Sequence, residues 1–377
     1  MRRDRGLGLL MPWKLQRPAA LQDADVVLTS FRPGGFEARR LDERIPLQYG
    51  VIGQETQGPG GLFLALRTLS VFRDIVSEME ARCPHALLVN YSNPVNVVSQ
   101  AIVENSDLRI VSLCDGPIAW PRLVASAAGL DADLVEATMI GLNHACWSID
   151  AAYPGERDFF DLVDEAWSAA PAAADTRELQ LLQLAATMRS IPADYLRYYY
   201  FQHSILEEMQ AAPRTRAEQL IEESTRYWSH YAAEAESAHP RLDPLQARSG
   251  VGELELAVEV IEAVVAGRDT TYTVNIPNDR AIAGFDEELV VEVPARYING
   301  RFVATVEGAR LPRHVAGLVE MLAEYQRLAA QAGWSGTRRD AVRALAAHPL
   351  VLSLPKAESI YNELAAAQAS WLPGRLR

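Results

Sequence analysis

Three short apolar runs, each ending at a cluster of polar residues, constrain the fold of this chain more than any other feature. The runs occupy residues 86–89, 108–112 and 137–140. The motifs that follow them are Asn90-Tyr91-Ser92-Asn93-Pro94, Leu113-Cys114-Asp115-Gly116-Pro117 and Gly141-Leu142-Asn143-His144. Runs of this kind are typical of strands buried in a parallel sheet, and ligands bind at the carboxyl ends of such strands. We therefore expect an amide, a thiol with a carboxylate, and an imidazole to meet in one crevice.

The rest of the chain divides by its apolar pattern. Residues 20–150 alternate strand-like and helical segments, which predicts a parallel α/β sheet, and residues 61–81 have apolar side chains at helical spacing. Residues 151–270 are rich in Ala, Leu and Glu and predict helices. Strands return from Thr270, and Asn299-Gly300 lies between two apolar runs, which predicts a hairpin. We expect two domains, residues 1–150 and residues 151–377.

Size and charge exclude several classes of function. A chain of 377 residues exceeds the size at which a single core stops growing, in agreement with two domains. The formal net charge of −13 argues against nucleic acid as a partner, because a phosphate backbone attracts a basic surface. The three cysteines do not form a secreted disulfide framework, and no segment predicts a membrane span. We expect a cytoplasmic protein that acts on a small molecule.

Further motifs occur in the same fixed order along the chain. They are Arg32-Pro33-Gly34-Gly35, residues 38–46, Gly53-Gln54-Glu55-Thr56, Gly60-Gly61, Tyr195-Leu196-Arg197-Tyr198-Tyr199, Thr215-Arg216-Ala217 and Val274-Asn275-Ile276-Pro277-Asn278. Together with the three strand-end motifs, they resemble glycoside hydrolase family 4, the glycosidases that need NAD and a divalent metal. The resemblance runs from about Ala20 to the C-terminus. It implies a doubly wound parallel sheet of the Rossmann type with a second, mixed α+β substrate domain, and a homodimer or homotetramer.

The N-terminus departs from the family pattern. The family opens with a strand, a glycine-rich turn and a helix that hold the NAD pyrophosphate. Here Gly6 and Gly8 form a Gly-x-Gly without a preceding strand, without a third glycine, and with Pro12 in the position of the helix. We therefore expect the first strands and the glycine-rich NAD-binding segment to be missing, either because the start is placed too late or because the chain is a degenerate homologue.

The resemblance also implies a mechanism that differs from the usual two-carboxylate hydrolysis. NAD removes hydride from the sugar C3 carbon, a base removes the proton on C2, and the glycosidic oxygen at C1 is eliminated before water adds and hydride returns. Cys114 and His144 match the family's metal ligands, and thiolate and imidazole suit manganese or another divalent ion. Tyr195 matches the base, which needs the metal or a cation such as Arg197 or Arg216 to lower its pKa.

Asp115 and Glu55 are the carboxylates expected at the site. Asp115 resembles the general acid, with a pKa raised by the neighbouring thiolate, but it could equally cap the helix that follows. Glu55 resembles the residue that tunes the base, and alternatively it is a buried partner of Arg39 or Arg67. An aspartate after the metal cysteine favours α-linked substrates, as in the phospho-α-glucosidases, although those continue Asp-Met-Pro where this chain has Asp115-Gly116-Pro117.

The remaining candidate residues contact the substrate and the cofactor. Arg39, Asn93 and Arg216 match substrate-binding positions of the family, and guanidinium groups suit a phosphorylated or uronic sugar. Asn93 could instead be only a turn residue before Pro94. Ser30, Arg32 and Asn90 are the candidates for NAD contacts.

The predicted function is thus hydrolysis of a small, preferentially α-linked glycoside with NAD and a Mn-type metal. Two alternatives are left open. One is an NAD-dependent dehydrogenase of the lactate and malate type, in which a metal pair has no purpose. The other is a catalytically dead remnant, which would show no affinity for NAD.

Overall fold

The computed structural model describes residues 16–170, 176–241, 243 and 253–377. Within them an eight-stranded sheet has the order β1-β2-β3-β6-β7-β4-β5, and β8 pairs with β7. The strands are β1 (Val26–Thr29), β2 (Leu87–Asn90), β3 (Arg109–Ser112), β4 (Glu136–Leu142), β5 (Ala145–Ala152), β6 (Thr271–Pro277), β7 (Val290–Ile298) and β8 (Arg301–Ala304). The α/β class with a second, mixed α+β part agrees with the prediction.

Helices cover both faces of this sheet. They are α1 (Arg17–Leu21), α2 (Gly35–Gln48), α3 (Gly58–Arg82), α4 (Val95–Asn105), α5 (Gly116–Ala127), α6 (Phe159–Ser168), α7 (Arg177–Met188), α8 (Arg197–Tyr200), α9 (Gln202–Ala211), α10 (Arg216–Glu236), α11 (Glu253–Ala266), α12 (Arg313–Trp334), α13 (Arg338–Ala347) and α14 (Leu354–Ala367). Helix α3 contains the predicted helix at residues 61–81, with Pro59 in its first turn. No helix among the described residues is long and apolar enough to cross a membrane.

Strands β1, β2 and β3 form the predicted parallel part of the sheet. All four residues of β2 are buried, which requires a packed layer on each face. Leu87 and Val89 belong to the core formed with the C-terminal strands, whereas Leu88 belongs to the core formed with α3, α4 and the C-terminal helices. The continuous apolar run at β2 therefore reflects burial on both sides.

Strand β4 does not continue the parallel sheet, and the expectation that it would is wrong. It pairs antiparallel with both β5 and β7, and β6 and β7 lie between it and β3. The pairing aligns Ser112 with Asn275, Asn275 with Glu292, and Glu292 with Gly141 in one row across four strands. Because β3 and β4 reach this row from opposite directions, the carboxyl ends of both strands lie at it.

The predicted hairpin is confirmed. Strands β7 and β8 pair antiparallel, and Ile298 is opposite Arg301, so Asn299 and Gly300 form a two-residue turn. Their φ angles of +50° and +87° lie in the left-handed region that this kind of turn requires. The predicted Gly6-x-Gly8 segment lies outside the described residues.

A buried ion pair joins helices α2 and α3, and a glutamine near the end of the chain binds the same carboxylate. Arg67 on α3 donates to Asp42 on α2 at 2.6 and 3.0 Å, and neither side chain is exposed. Gln368, after α14, donates to the same carboxylate at 2.7 Å, and the Arg67 Nε atom donates to the Pro33 carbonyl at 3.1 Å. This network ties the loop that precedes α2 to the end of the chain.

Candidate active site

Cys114 and Asp115 lie at the carboxyl end of β3, immediately before α5. The Cys114 Sγ atom accepts a hydrogen bond from the Gly116 amide at 3.4 Å and another from the Asn143 side chain. Burial, followed by the nearby carboxylates of Glu292 and Asp115, raises the pKa of Cys114 well above its usual value. A thiol in such surroundings keeps its proton until a cation binds it.

His144 lies at the tip of the hairpin between β4 and β5. Leu142 pairs with Ala145, so Asn143 and His144 form a two-residue turn, and His144 has the left-handed φ of +63°. The imidazole is buried, and this burial lowers the pKa of His144 to about 4. The ring is therefore neutral at neutral pH, which is the form that binds a metal ion.

Tyr195 lies against His144 and near Cys114. Its ring stacks on the His144 imidazole, with centroids 3.7 Å apart and planes 7° from parallel. Trp120 meets the same imidazole edge-on at 6.5 Å. Cys114 is among the groups that act electrostatically on Tyr195. The structure thus places the predicted base against one predicted metal ligand and near the other.

Glu55 and Arg39 lie beside this cluster. The Glu55 carboxylate pairs with Arg32 at 2.5 Å and with Arg39 at 2.9 Å, whereas Arg67 pairs with Asp42. Of the two structural partners left open for Glu55, the structure therefore selects Arg39. Glu55 also acts electrostatically on Tyr195 and His144. Glu55 can therefore pair with Arg39 and also influence the pKa of Tyr195.

The cations expected to lower the pKa of Tyr195 are engaged elsewhere. Arg197 donates to Asp194 at 2.7 Å, and Arg216 donates to Gln219 at 3.2 Å. Burial, then Glu55 and Cys114, raise the pKa of Tyr195 well above its usual value. Arg39 interacts electrostatically with this phenol: burial opposes its charge, but Glu55, Glu43 and more weakly Tyr195 raise the pKa of Arg39.

Asp115 occupies the N-cap position of α5, but its side chain accepts no capping hydrogen bond. The helix-capping alternative is therefore not observed. The carboxyl is half-buried, and burial raises the pKa of Asp115, so the main cause is desolvation and not the thiolate that we expected. A carboxyl with a raised pKa stays protonated to higher pH and can serve as a proton donor.

The three candidates for cofactor contacts lie at the ends of β1 and β2. Ser30 is exposed directly after β1, and Arg32 follows it. Asn90 is fully buried: it accepts from the Thr29 hydroxyl at 3.0 Å and donates to the Ser112 hydroxyl at 3.1 Å. The amide of Asn90 therefore holds three neighbouring strand ends together.

The three candidates for substrate contacts differ in the hydrogen bonds and ion pairs that they already make within the protein. Arg39 is bound by both Glu43 and Glu55. Arg216 is exposed at the start of α10, and the next amide, that of Ala217, donates to Glu43 at 2.8 Å. The Asn93 Oδ1 atom is buried and accepts no hydrogen bond within the described part of the chain. Buried polar atoms are normally hydrogen-bonded, and a turn does not need this acceptor to be without a donor.

Sequence reasoning missed Glu292, which lies behind the metal candidates. Its Oε1 atom accepts from the amides of Asn143 and Asn275, each at 2.9 Å. Burial raises the pKa of Glu292 to about 7, although these two donors oppose the shift. The available signal was one charged residue inside the apolar run Val290-Val291-Glu292-Val293. Through Asn143, Glu292 supports the Cys114 thiol.

The donor set fits a divalent ion with an open coordination shell. In the residues that the structure describes, no group of three or more His, Cys, Asp or Glu side chains could hold a metal. Cys114 and His144 are the two predicted ligands, so water or substrate oxygens would complete the shell, as in catalytic sites. Sulfur and imidazole nitrogen suit a borderline divalent transition metal.

Comparison with known proteins gives a consistent result. Residues 2–130 match the family 4 glycosyl hydrolase model, and residues 139–351 match the family 4 glycosyl hydrolase C-terminal domain. A probable 6-phospho-beta-glucosidase of Bacillus subtilis is 34% identical over 95% of this chain and 82% of its own length. A 6-phospho-alpha-glucosidase of Leptotrichia buccalis is 27% identical over 94% of this chain and 83% of its own.

A solved structure agrees with these sequence matches. The 6-phospho-beta glucosidase from Thermotoga maritima, with NAD and glucose-6-phosphate, superposes with a TM-score of 0.80 at 25% identity. The match covers 95% of this chain and 84% of that one. The same Thermotoga protein has also been solved with manganese, NAD+ and glucose-6-phosphate, with a TM-score of 0.80, 24% identity and the same coverage.

Proposed function

Because this chain belongs to family 4 of the glycosyl hydrolases and is a glycosidase, we propose that it hydrolyses a 6-phosphoglucoside with NAD and a divalent metal ion. The relatives support this substrate, since both are described as 6-phosphoglucosidases and the Thermotoga structure holds glucose-6-phosphate. The observation that carries the proposal is the stack of Tyr195 on His144 at 3.7 Å, which puts a candidate base against a candidate metal ligand.

Cys114 and His144 are the residues that would hold the metal, and Ser30 and Arg32 those that would face NAD. When bound, NAD supplies a hydride acceptor for the sugar C3 carbon, and the metal ion supplies a Lewis acid at the C3 oxygen. Asn90 keeps the strand ends at the cofactor side in register through its bonds to Thr29 and Ser112.

Tyr195 accepts the proton from C2 in this proposal. A phenol is a weak base at neutral pH, and burial beside Glu55 and Cys114 raises the pKa of Tyr195 further. Its basicity therefore depends on positive charge at the site. Arg39 interacts electrostatically with this phenol, and Glu55 pairs with that guanidinium at 2.9 Å.

Asp115 protonates the leaving oxygen at C1. Its carboxyl is half-buried, carries a raised pKa, and makes no capping hydrogen bond that would compete for it. The side chain lies next to Cys114 on the chain, so the acid and the metal site share one strand end. Positioned acids of this kind accelerate a reaction by roughly 10²–10⁴-fold.

Arg216 is the best candidate for the sugar phosphate. Arg39 already pairs with two carboxylates, Glu43 and Glu55, whereas Arg216 is exposed and pairs with no carboxylate in the described part of the chain. A guanidinium without a carboxylate partner keeps its donors for a phosphate. In this proposal the Asn93 Oδ1 atom, which has no donor within the described residues, accepts a hydrogen bond from a sugar hydroxyl.

We propose a β-linked substrate, on the ground of the higher identity to the Bacillus 6-phospho-beta-glucosidase, 34% against 27% for the α relative. An α-linked substrate is the second candidate, because Asp115 follows the metal cysteine. Elimination from C1 after deprotonation at C2 is compatible with either anomer, since the C–O bond breaks in its own step.

The test uses p-nitrophenyl glucoside 6-phosphates of both anomers, with NAD, Mn²⁺ and a thiol reductant. We expect release of p-nitrophenolate that needs both additions, is faster with the β anomer, and is absent with the unphosphorylated β-glucoside. Faster release from the α anomer would select the second candidate. Absence of release from both phosphorylated anomers would contradict the proposed substrate.

NAD binding is the measurement that tests the alternatives. The 377-residue chain is titrated with NAD by calorimetry, with and without Mn²⁺. We expect binding, and a catalytically dead remnant would show none. A metal-free dehydrogenase would bind NAD and ignore Mn²⁺ in every assay. A homodimer or homotetramer in the cytoplasm stays a prediction, and light scattering checks the assembly.

A further inference from the structure

The environment of the His144 ring contains an unexplained hydrogen-bond chain. The His144 Nδ1 atom lies 3.2 Å from the Thr56 hydroxyl oxygen, and both residues are buried. The Tyr195 ring stacks on one side of the imidazole and Trp120 meets it edge-on, so the ring orientation is set by packing. With Nδ1 turned towards Thr56, Nε2 is the nitrogen left for a metal ion.

The direction of the Thr56 hydroxyl follows from Gln54. The Gln54 Oε1 atom accepts from the backbone amides of Thr56 at 2.6 Å and Gln57 at 2.8 Å, and from the Thr56 hydroxyl at 3.0 Å. Two backbone N–H groups point at this atom, so it must be the amide oxygen and not the nitrogen. An oxygen that only accepts requires the hydroxyl to donate to it.

The single proton of Thr56 is thereby committed to Gln54. A lone pair of the hydroxyl oxygen then faces the His144 Nδ1 atom, and the contact is favourable only if Nδ1 carries the ring proton. The opposite tautomer would turn the hydroxyl proton towards Nδ1. The oxygens of Thr56 and Gln54 would then face each other at 3.0 Å without a proton between them.

We propose that Thr56, oriented by Gln54, is a positioning residue that holds His144 in the Nδ1–H tautomer and so leaves the Nε2 lone pair for the metal ion. The inference rests on the proposed metal role of His144. Neutral imidazole binds a metal through its unprotonated nitrogen, and a partner on the other nitrogen decides which one that is.

Gln57 provides the competing interaction. Its Oε1 atom accepts from the Tyr199 hydroxyl at 2.5 Å, which turns its amide nitrogen towards His144 Nδ1 at 3.5 Å. An amide donor at Nδ1 would favour the opposite tautomer. The contact with Thr56 is shorter, 3.2 Å, so we expect it to dominate.

The first experiment reads the tautomer directly in the metal-free full chain. Histidine is labelled with ¹⁵N, and long-range ¹H–¹⁵N spectra distinguish protonated from unprotonated ring nitrogens among the seven histidines. His144→Asn identifies the signals of His144 by their loss. We expect the Nδ1–H form between pH 6 and 8. Observation of the Nε2–H form in the unmodified chain would overturn the proposal, whatever the metal affinity.

The second experiment varies Thr56. Thr56→Val keeps the shape and removes the hydroxyl, so the Nδ1–H population should fall and the Kd for Mn²⁺ alone should rise roughly 10–100-fold. Thr56→Ser should restore both readouts. Thr138→Val, the same chemical change nearer the start of β4, should alter neither. An unchanged tautomer and Kd in Thr56→Val would overturn the proposal.

The two readouts separate this inference from the proposed function. Failure of the unmodified chain to bind Mn²⁺ would count against the metal role of His144. The tautomer spectra of the metal-free chain, with Thr56→Val and Thr56→Ser compared, would still decide the role of Thr56. Circular dichroism of each variant confirms that it is folded before either readout is interpreted.

Discussion

Replacement of Glu292 by Gln should stabilise the protein, and the stabilisation should grow as the pH rises from 4.5 to about 7. Glu292 is fully buried, and burial raises the pKa of its carboxyl to about 7. Both side-chain amide donors, from Asn143 and Asn275, reach the same oxygen, Oε1, so a glutamine oxygen can replace it. No nitrogen or oxygen donor in the described part of the chain reaches the Oε2 atom, and the Cys146 thiol is the further hydrogen-bond partner of this carboxyl. Glu292→Gln therefore reproduces the shape of the protonated acid.

The magnitude follows from proton linkage. The pKa of Glu292 rises from 4.5 in the unfolded chain to about 7 in the folded protein. Between these values the folded state binds more protons than the unfolded state, so stability falls as pH rises and levels off above about 7. The difference between the two pKa values corresponds to about 3 kcal/mol in the free energy of unfolding. Glutamine does not titrate, so this position causes no loss of stability in the variant over the same pH range.

The assay is thermal unfolding of the metal-free protein in EDTA at pH 5, 6, 7 and 8, followed by tryptophan fluorescence. The Tm of Glu292→Gln relative to the unmodified protein should rise between pH 5 and 8 by roughly 3–6 °C for a chain of this length. Glu288→Gln, at an exposed position before the same strand, should show no such trend. A Tm difference for Glu292→Gln that is independent of pH would refute the reasoning.

Three further substitutions test the site and the fold. Tyr195→Phe should lower kcat by at least roughly 10²-fold while NAD and Mn²⁺ affinities stay within error, because only the proton acceptor is lost; weakened metal binding would contradict this. Asp115→Asn should slow cleavage of an alkyl 6-phosphoglucoside by roughly 10²-fold but scarcely affect a p-nitrophenyl one, since nitrophenolate leaves without a proton; equal losses would exclude the acid role. Arg67→Met should cost about 3–5 kcal/mol, measured by urea unfolding, because Asp42 stays buried without its partner. An Asp42→Leu/Arg67→Met double variant should recover much of that loss, and a stable single variant would contradict the argument.

The predictable parts of the fold are those set by local sequence. Strand β2 was recognisable because burial on both faces requires an unbroken apolar run, and the Asn299-Gly300 turn because few residues adopt two successive left-handed conformations. The direction of β4 was not predictable in this way. Its apolar residues report burial, whereas its antiparallel pairing depends on β7, whose residues occur far later in the sequence.

The same distinction applies to the site. Motifs predicted Cys114, His144 and Tyr195, and the structure brings the Tyr195 ring against His144 and close enough to Cys114 to interact electrostatically. Glu292 escaped notice because its importance lies in contacts with Asn143 and Asn275, which no local pattern encodes. The expected effect of Arg197 on the pKa of Tyr195 is not among the main causes of its shift, because proximity in sequence does not prevent Arg197 from binding Asp194 instead.

The sheet also determines when the site can form during synthesis, because one row of paired residues joins early and late strands. The row consists of Ser112, Asn275, Glu292 and Gly141. Cys114 and His144 emerge early during synthesis, but the strands that join them end only at Ile298. At translation rates of 5–20 residues per second, this leaves roughly 8–30 s in which both proposed ligands exist without the strands that join them. At the proposed metal site, Cys114 and His144 would therefore be held together only after these C-terminal strands have paired.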